Sequence, residues 1–225
     1  MTRLRTMLYG ALALLAGMAV TTPAMSDSSN FAGPYIAIQG SIIGVELDGE
    51  FHDPESVNES SQGKVGMVSP MMGLQAGYNF PIGDAGFVTI GGTWSDGDAA
   101  FDAKELANSK SVTITVADFV EYFIEPSVNL TENSAVYIKG GMITGHMSVT
   151  GDDVLNQGID LEGWVGGIGT KTITDGGIFI KTEAGAIKFD PIRINNINDE
   201  ASGTTAHAAA DPIVAYGSIT IGFVF

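Results

Sequence analysis

Three histidines and no cysteine leave this 225-residue chain few routes to covalent chemistry. Without thiols there is no disulfide framework and no thiolate metal site. His52 and His207 fall among acidic or small residues and read as solvated side chains. His146 precedes Ser148 by two residues, and Glu162 supplies a carboxylate farther along. A base oriented by a carboxylate beside a hydroxyl is what acyl transfer requires. Nothing else around Ser148 supports such a site, so the expectation is a protein that is not an enzyme.

A second group is acidic. Asp48, Glu50, Asp53 and Glu55 lie in one polar stretch with Glu46 and Glu59. Oxygen ligands at this density suit Ca²⁺ or Mg²⁺. The stretch lacks the Asp-x-Asp-x-Asp-Gly calcium pattern, and a solvated, self-repelling loop is the reading preferred over a cation-binding one. No glycine-rich phosphate loop opens a helix, and no resident metal or cofactor is expected.

The third group is the most informative. Glu121, Glu125, Lys139, Lys171, Lys181 and Glu183 each sit in a segment that alternates between apolar and polar residues. In every case the charge falls on the face opposite an aliphatic row that includes Val120, Ile124, Ile138, Ile168 and Ile180, and it shares its own face with Phe119, Phe123, Tyr137 and Phe179. Successive strand residues point to opposite faces, so this pattern places all six on one surface of a sheet. Three acids and three bases sharing a narrow enclosed space must be paired, because stripping one member of a buried pair costs roughly 3–5 kcal/mol.

The elements that position these residues are strands. Two-residue periodicity runs through about 35–47, 68–80, 87–95, 111–130, 135–147, 161–172, 178–189 and 215–225. In the last of these, Ile219, Ile221, Phe223 and Phe225 share one face, opposite Tyr216, Ser218 and Thr220. Such a row on a free edge would recruit other chains, and closure of the sheet into a ring in lipid removes that hazard. Connections alternate between short turns and long stretches at 48–67, 96–110, 148–160 and 190–210. That alternation is the signature of a membrane barrel with short periplasmic turns and longer extracellular loops. The expected fold is therefore all-β: an eight-stranded antiparallel up-and-down transmembrane β-barrel over residues 27–225. Asp118, on the lipid-facing parity, is expected above the membrane. Pro126 is placed near the periplasmic rim at a bulge, and Pro70 at the outer end of its strand.

Residues 1–26 read as a cleavable signal peptide: Arg3 and Arg5, then an apolar run from Met7 to Val20, then a break at Thr21-Thr22-Pro23. The run is too short for a spanning helix, which needs about 20 residues. The formal charge is −16. Losing Arg3 and Arg5 leaves eight basic residues against 26 acidic, a net −18, which disfavours nucleic-acid binding.

Several runs resemble the small porin-like outer-membrane β-barrel family, related to opacity-type surface antigens and to the membrane domain of outer-membrane protein A. They are Gly73-Leu-Gln-Ala-Gly-Tyr-Asn-Phe80, Tyr137-Ile-Lys-Gly-Gly141, Gly163-Trp-Val-Gly-Gly-Ile-Gly169, Thr174-Asp-Gly-Gly-Ile-Phe-Ile-Lys-Thr-Glu183 and the terminal Phe. The resemblance implies a monomer in the cell outer membrane with a structural, adhesive or antigenic role. Its partners would be outer-membrane lipid, lipopolysaccharide, the barrel-assembly machinery that reads the last strand, and an unidentified extracellular adhesion partner. The alternatives are a narrow porin-like pore for ions or small solutes, and a lipid A-modifying hydrolase. The latter is suggested only because His146, Ser148 and Glu162 are similar in type to the site of outer-membrane lipid A deacylases.

Overall fold

A computed structural model describes residues 28–52, 61–95, 99–103, 112–151, 154–198 and 205–225, with side chains described over 28–44, 68–95, 115–148, 158–192 and 212–225. The expected leader lies outside the described residues. A short 3-10 turn, Ser28–Phe31, precedes ten strands. These are β1 (Gly33–His52), β2 (Ser61–Ile82), β3 (Gly86–Ser95), β4 (Ala99–Ala103), β5 (Val112–Thr131), β6 (Ser134–Gly151), β7 (Val154–Ile173), β8 (Ile178–Phe189), β9 (Ile192–Asn198) and β10 (Thr205–Val224).

Eight of them close a ring. The order is β1-β2-β3-β5-β6-β7-β8-β10, and β10 pairs back onto β1 from Tyr35↔Val224 to His52↔His207. Every pairing is antiparallel between neighbours around the ring. Closure satisfies each strand's backbone on both sides, which is what a sheet in hydrocarbon requires.

The alternating residues sort cleanly across this wall. Ile36, Ile38, Leu74, Trp94, Tyr122, Ile168, Ile180 and Ile221 point outward and are exposed. Phe223 and Phe225 also face out, 5.1 Å apart edge to face. An apolar surface that encircles a molecule is covered by lipid rather than water.

Several details depart from the sequence expectation. Residues assigned to the long connections are strand in part: β1 continues to His52, β2 starts at Ser61, β6 reaches Gly151, β7 starts at Val154 and β10 starts at Thr205. Cross-strand pairs such as Glu50↔Gln62 and Phe51↔Ala208 carry the ladder into these weakly patterned segments.

The register of β5 with β6 is irregular around Asp118 and again between Asn129 and Thr131, but not at Pro126. The register with β6 shifts between Ala117 and Val120, and Asp118 adopts a φ of 57°, a left-handed conformation that aspartate tolerates better than most residues. One extra residue inverts the parity above it. Val116, expected to face lipid, instead packs against the interior beside Met147. Pro126 interrupts pairing with β6 without changing register. Pro70 lies where β2 has a partner on one side only, as suits a residue with no amide donor.

The wall is closed at the turn end and divided at the loop end. Pairing of β2 with β3 ends at Gly73↔Ser95, and pairing of β7 with β8 ends at Gly163↔Phe189. Beyond these points β4 pairs with β5, and β9 with β10. Among the described residues no ladder joins β2 to β4 or β7 to β9. The loop end is thus two four-stranded sheets, β9-β10-β1-β2 and β4-β5-β6-β7, separated by two seams.

Glycines on the inner wall make room for large neighbours. A Cβ on Gly169 would lie 2.5 Å from the Tyr137 hydroxyl, and one on Gly185 would lie 2.5 Å from that of Tyr216. Gly169→Leu is expected to keep the barrel from closing, since even modest overpacking costs about 1–3 kcal/mol. Loss of the heat-dependent gel shift of the folded barrel would show it, while Gly140→Ala, with nothing within 4 Å of its added carbon, should retain that shift.

Candidate functional site: the charged lumen

The six charges singled out by parity are all buried inside the ring, and they form three layers along its axis. Nearest the loop end, Lys139 Nζ lies 2.7 Å from Glu121 Oε1 and also pairs with Glu183 Oε1. Tyr216 donates to Glu183 Oε1 at 2.7 Å and Tyr137 donates to Oε2 at 2.8 Å. The glycines described above are what allow these hydroxyls to reach. Glu121 Oε1 has the Lys139 ammonium as its partner.

In the middle layer Lys181 donates to Glu125 Oε1 at 2.6 Å and to Gln75 Oε1 at 3.3 Å. Gln75 Nε2 in turn donates to Gln39 and Thr93. Both Lys139 and Lys181 sit over the Phe123 ring, at 5.5 and 5.4 Å from its centre.

The layer nearest the turn end holds a difference from expectation. Lys171 is fully buried, and among the described residues no carboxylate pairs with it. Its ammonium donates to Asn79 Oδ1 at 3.2 Å and to Thr89 Oγ1 at 3.4 Å. It also faces the rings of Phe87, Tyr35 and Phe179 at 5.0, 5.3 and 5.4 Å. Ring quadrupoles attract a cation by about 0.5–2 kcal/mol each, the upper figure applying to desolvated sites. Aromatic faces thus take the place of an acid.

Below Lys171 the turn end is stoppered by a residue the sequence reading passed over. Phe31 is fully buried and stacks on Phe87 with centres 4.8 Å apart. Its carbonyl accepts from Asn79 Nδ2 at 2.6 Å. Ser28 Oγ donates to the Gly83 carbonyl at 2.6 Å, and Asn30 Nδ2 donates to Glu132 O and Asn133 Oδ1 in another turn. A lone aromatic following a leader has no period to betray it. The only signal in the sequence was an apolar residue without an alternating segment around it.

On the loop side of the Lys139 layer the interior turns apolar. Ile43, Met71, Phe119, Ile143, Leu161 and Ile187 line a cavity of about 90 Å³, with Glu121 and Tyr216 at its base.

The remaining candidates lie elsewhere. His146 is exposed on the outer wall, its Nδ1 3.0 Å from Asp160 Oδ1. Glu162 stands opposite Thr144 and Ser148 opposite Gly158 in the register, so the carboxylate beside the imidazole is not the one the sequence offered. Asp48 and Glu50 have described backbone only, while Asp53 and Glu55 lie outside the described residues.

The family model described as "Outer membrane protein beta-barrel domain" matches residues 11–211. No curated protein sequence matches the chain. Among solved structures, the attachment invasion locus protein Ail of Yersinia pestis is 10% identical, with 86% of this chain and 99% of that one covered at a TM-score of 0.49. OprG of Pseudomonas aeruginosa is 14% identical, covering 86% and 97% at 0.47. Neisserial surface protein A is 12% identical, covering 84% and 97% at 0.45. The family assignment rests on the matched residues and the closed ring, not on these likenesses.

Lys181→Met and Glu125→Met are each expected to destabilise the barrel by roughly 3–5 kcal/mol, and the double variant by much less than their sum. Urea unfolding in lipid vesicles measures all three.

Proposed function

We propose that this chain, which belongs to the outer membrane protein beta-barrel domain family, is a closed surface protein of the cell outer membrane rather than a conduit or an enzyme. Its barrel anchors the long loop-end connections at the cell surface, where an acidic exterior meets lipopolysaccharide and extracellular partners. The observation that carries the reading is the stack inside the ring: Phe31, then Lys171 in its aromatic cage, then Lys181 with Glu125, then Lys139 with Glu121 and Glu183. An eight-stranded ring has an interior just wide enough for side chains. Four consecutive obstructions leave no water-filled path for an ion.

Export follows removal of the leader near residue 26. The Ser28 hydroxyl, bonded to the Gly83 carbonyl in the first turn, would then lie close to the mature amino terminus. The outward row Ile219, Ile221, Phe223 and Phe225 is the segment that the assembly machinery reads, and the barrel acts as a monomer.

In planar bilayers the protein is expected to show no discrete, steady conductance, and charge reversal at Glu121 or Lys139 should create none. Stable steps altered by either substitution would establish the pore reading instead. Lipid A from expressing cells should have the same acyl chains with the wild type and with His146→Ala, as mass spectrometry reads directly. An acyl chain lost only with the wild type would favour a hydrolase.

A further inference from the structure

Segments that precede the first element of a domain normally fray unless something ties them down. Here the segment ahead of β1 is tied down by its own side chains. Ala32 N donates to Ser29 O at 3.1 Å, which closes the Ser28–Phe31 turn. Ser28 fastens that turn to the β2–β3 connection at Gly83, and Asn30 fastens it to the β5–β6 connection at Glu132 and Asn133. Phe31 is held through its carbonyl by Asn79 and through its ring by Phe87.

The strap leaves the ring where the first and last strands meet. Its corner is Gly33, with a φ of 122° that suits glycine, and a Cβ there would lie 2.6 Å from the Phe225 carbonyl. One residue on, Phe225 N donates to Pro34 O at 2.9 Å.

The seat of the strap is made by strands from both sides of that junction. The buried cluster that takes the Phe31 ring contains Tyr35 of β1, Phe87 of β3, Ala135 of β6, Ile173 of β7, Phe179 of β8 and Val224 of β10. Asn79 adds β2. Such a seat is complete only when β10 has paired with β1. Before then Phe31 can bury only part of its apolar surface, and gains correspondingly little.

We propose that Ser28–Phe31 is a latch: it seats after the ring closes, and it must leave its seat before the ring opens. Contacts formed after the rate-limiting step of folding slow unfolding and leave the folding rate unchanged. The latch therefore makes the closed barrel long-lived without hindering its assembly.

Folding into lipid vesicles and unfolding from them in urea, each timed by the gel shift of the folded barrel, test it. Phe31→Ala is expected to unfold at least about tenfold faster, as loss of a buried ring implies, and to fold at the wild-type rate. Asn30→Cys combined with Asn133→Cys places the only thiols of the chain on strap and turn, where the native side chains are 3.2 Å apart. Joined by a short reducible crosslinker, they should slow unfolding at least about tenfold, and reduction should restore the uncrosslinked rate. The proposal is overturned if Phe31→Ala slows folding as much as it speeds unfolding, if it changes neither rate, or if the crosslinked barrel opens as fast as the reduced one. Should Phe31→Ala give no folded barrel, Phe31→Leu and the crosslinked pair decide in its place. Conductance reports on the lumen and these rates on the strap, so the closed-lumen reading and the latch can fail separately.

Discussion

Burying six charges inside the ring is the constraint on which the rest of this structure depends. Each ion brought into the lumen loses hydration worth several kcal/mol after relaxation, and only well-placed partners return it. The chain answers in three ways. Lys139 is shared by two carboxylates, Lys181 has one carboxylate and an amide network, and Lys171 has two neutral acceptors and three aromatic faces. Each solution draws groups from several strands. Lys181 of β8 meets Glu125 of β5, and Lys139 of β6 meets Glu183 of β8. The pairs therefore cross the lumen and fix which strands face one another.

Wall and filling depend on each other. Glycines at 167, 169 and 185 remove side chains where Tyr137 and Tyr216 must lie flat to reach Glu183. Larger residues there would push the tyrosines away and leave an acid short of donors. At the turn end, the Asn79 amide joins the Phe31 carbonyl to the ammonium of Lys171, so the stopper and the first charged layer form one hydrogen-bonded unit. Toward the loop end, among the described residues, apolar side chains line a cavity instead, which gives the two ends of the described lumen different chemistry.

Much of this was legible in the sequence because a strand has a period of two. Lys171 and Lys181, cross-strand partners on β7 and β8, share an inner face for no reason other than parity, and the same rule sends Phe223 and Phe225 outward. Parity names a face and not a partner, which is why the aromatic cage of Lys171 and the carboxylate beside His146 were not foreseen. It also fails at an inserted residue. The bulge at Asp118 inverts the faces above it, and nothing in the alternation of Val112, Ile114 and Val116 signals the change. Phe31 was missed because a residue that plugs a barrel end belongs to no repeating segment.

The chain's lack of cysteine makes the central claim directly measurable. Thr93 is buried at mid-lumen, where it accepts from Gln75, and cysteine replaces it with little change of volume. With Thr93→Cys as the sole thiol of the folded barrel in lipid vesicles, a small charged thiol reagent is predicted to leave it unmodified from either side until the barrel is unfolded. Rapid modification of the folded protein would mean that water and ions pass the stacked layers, and would contradict the account.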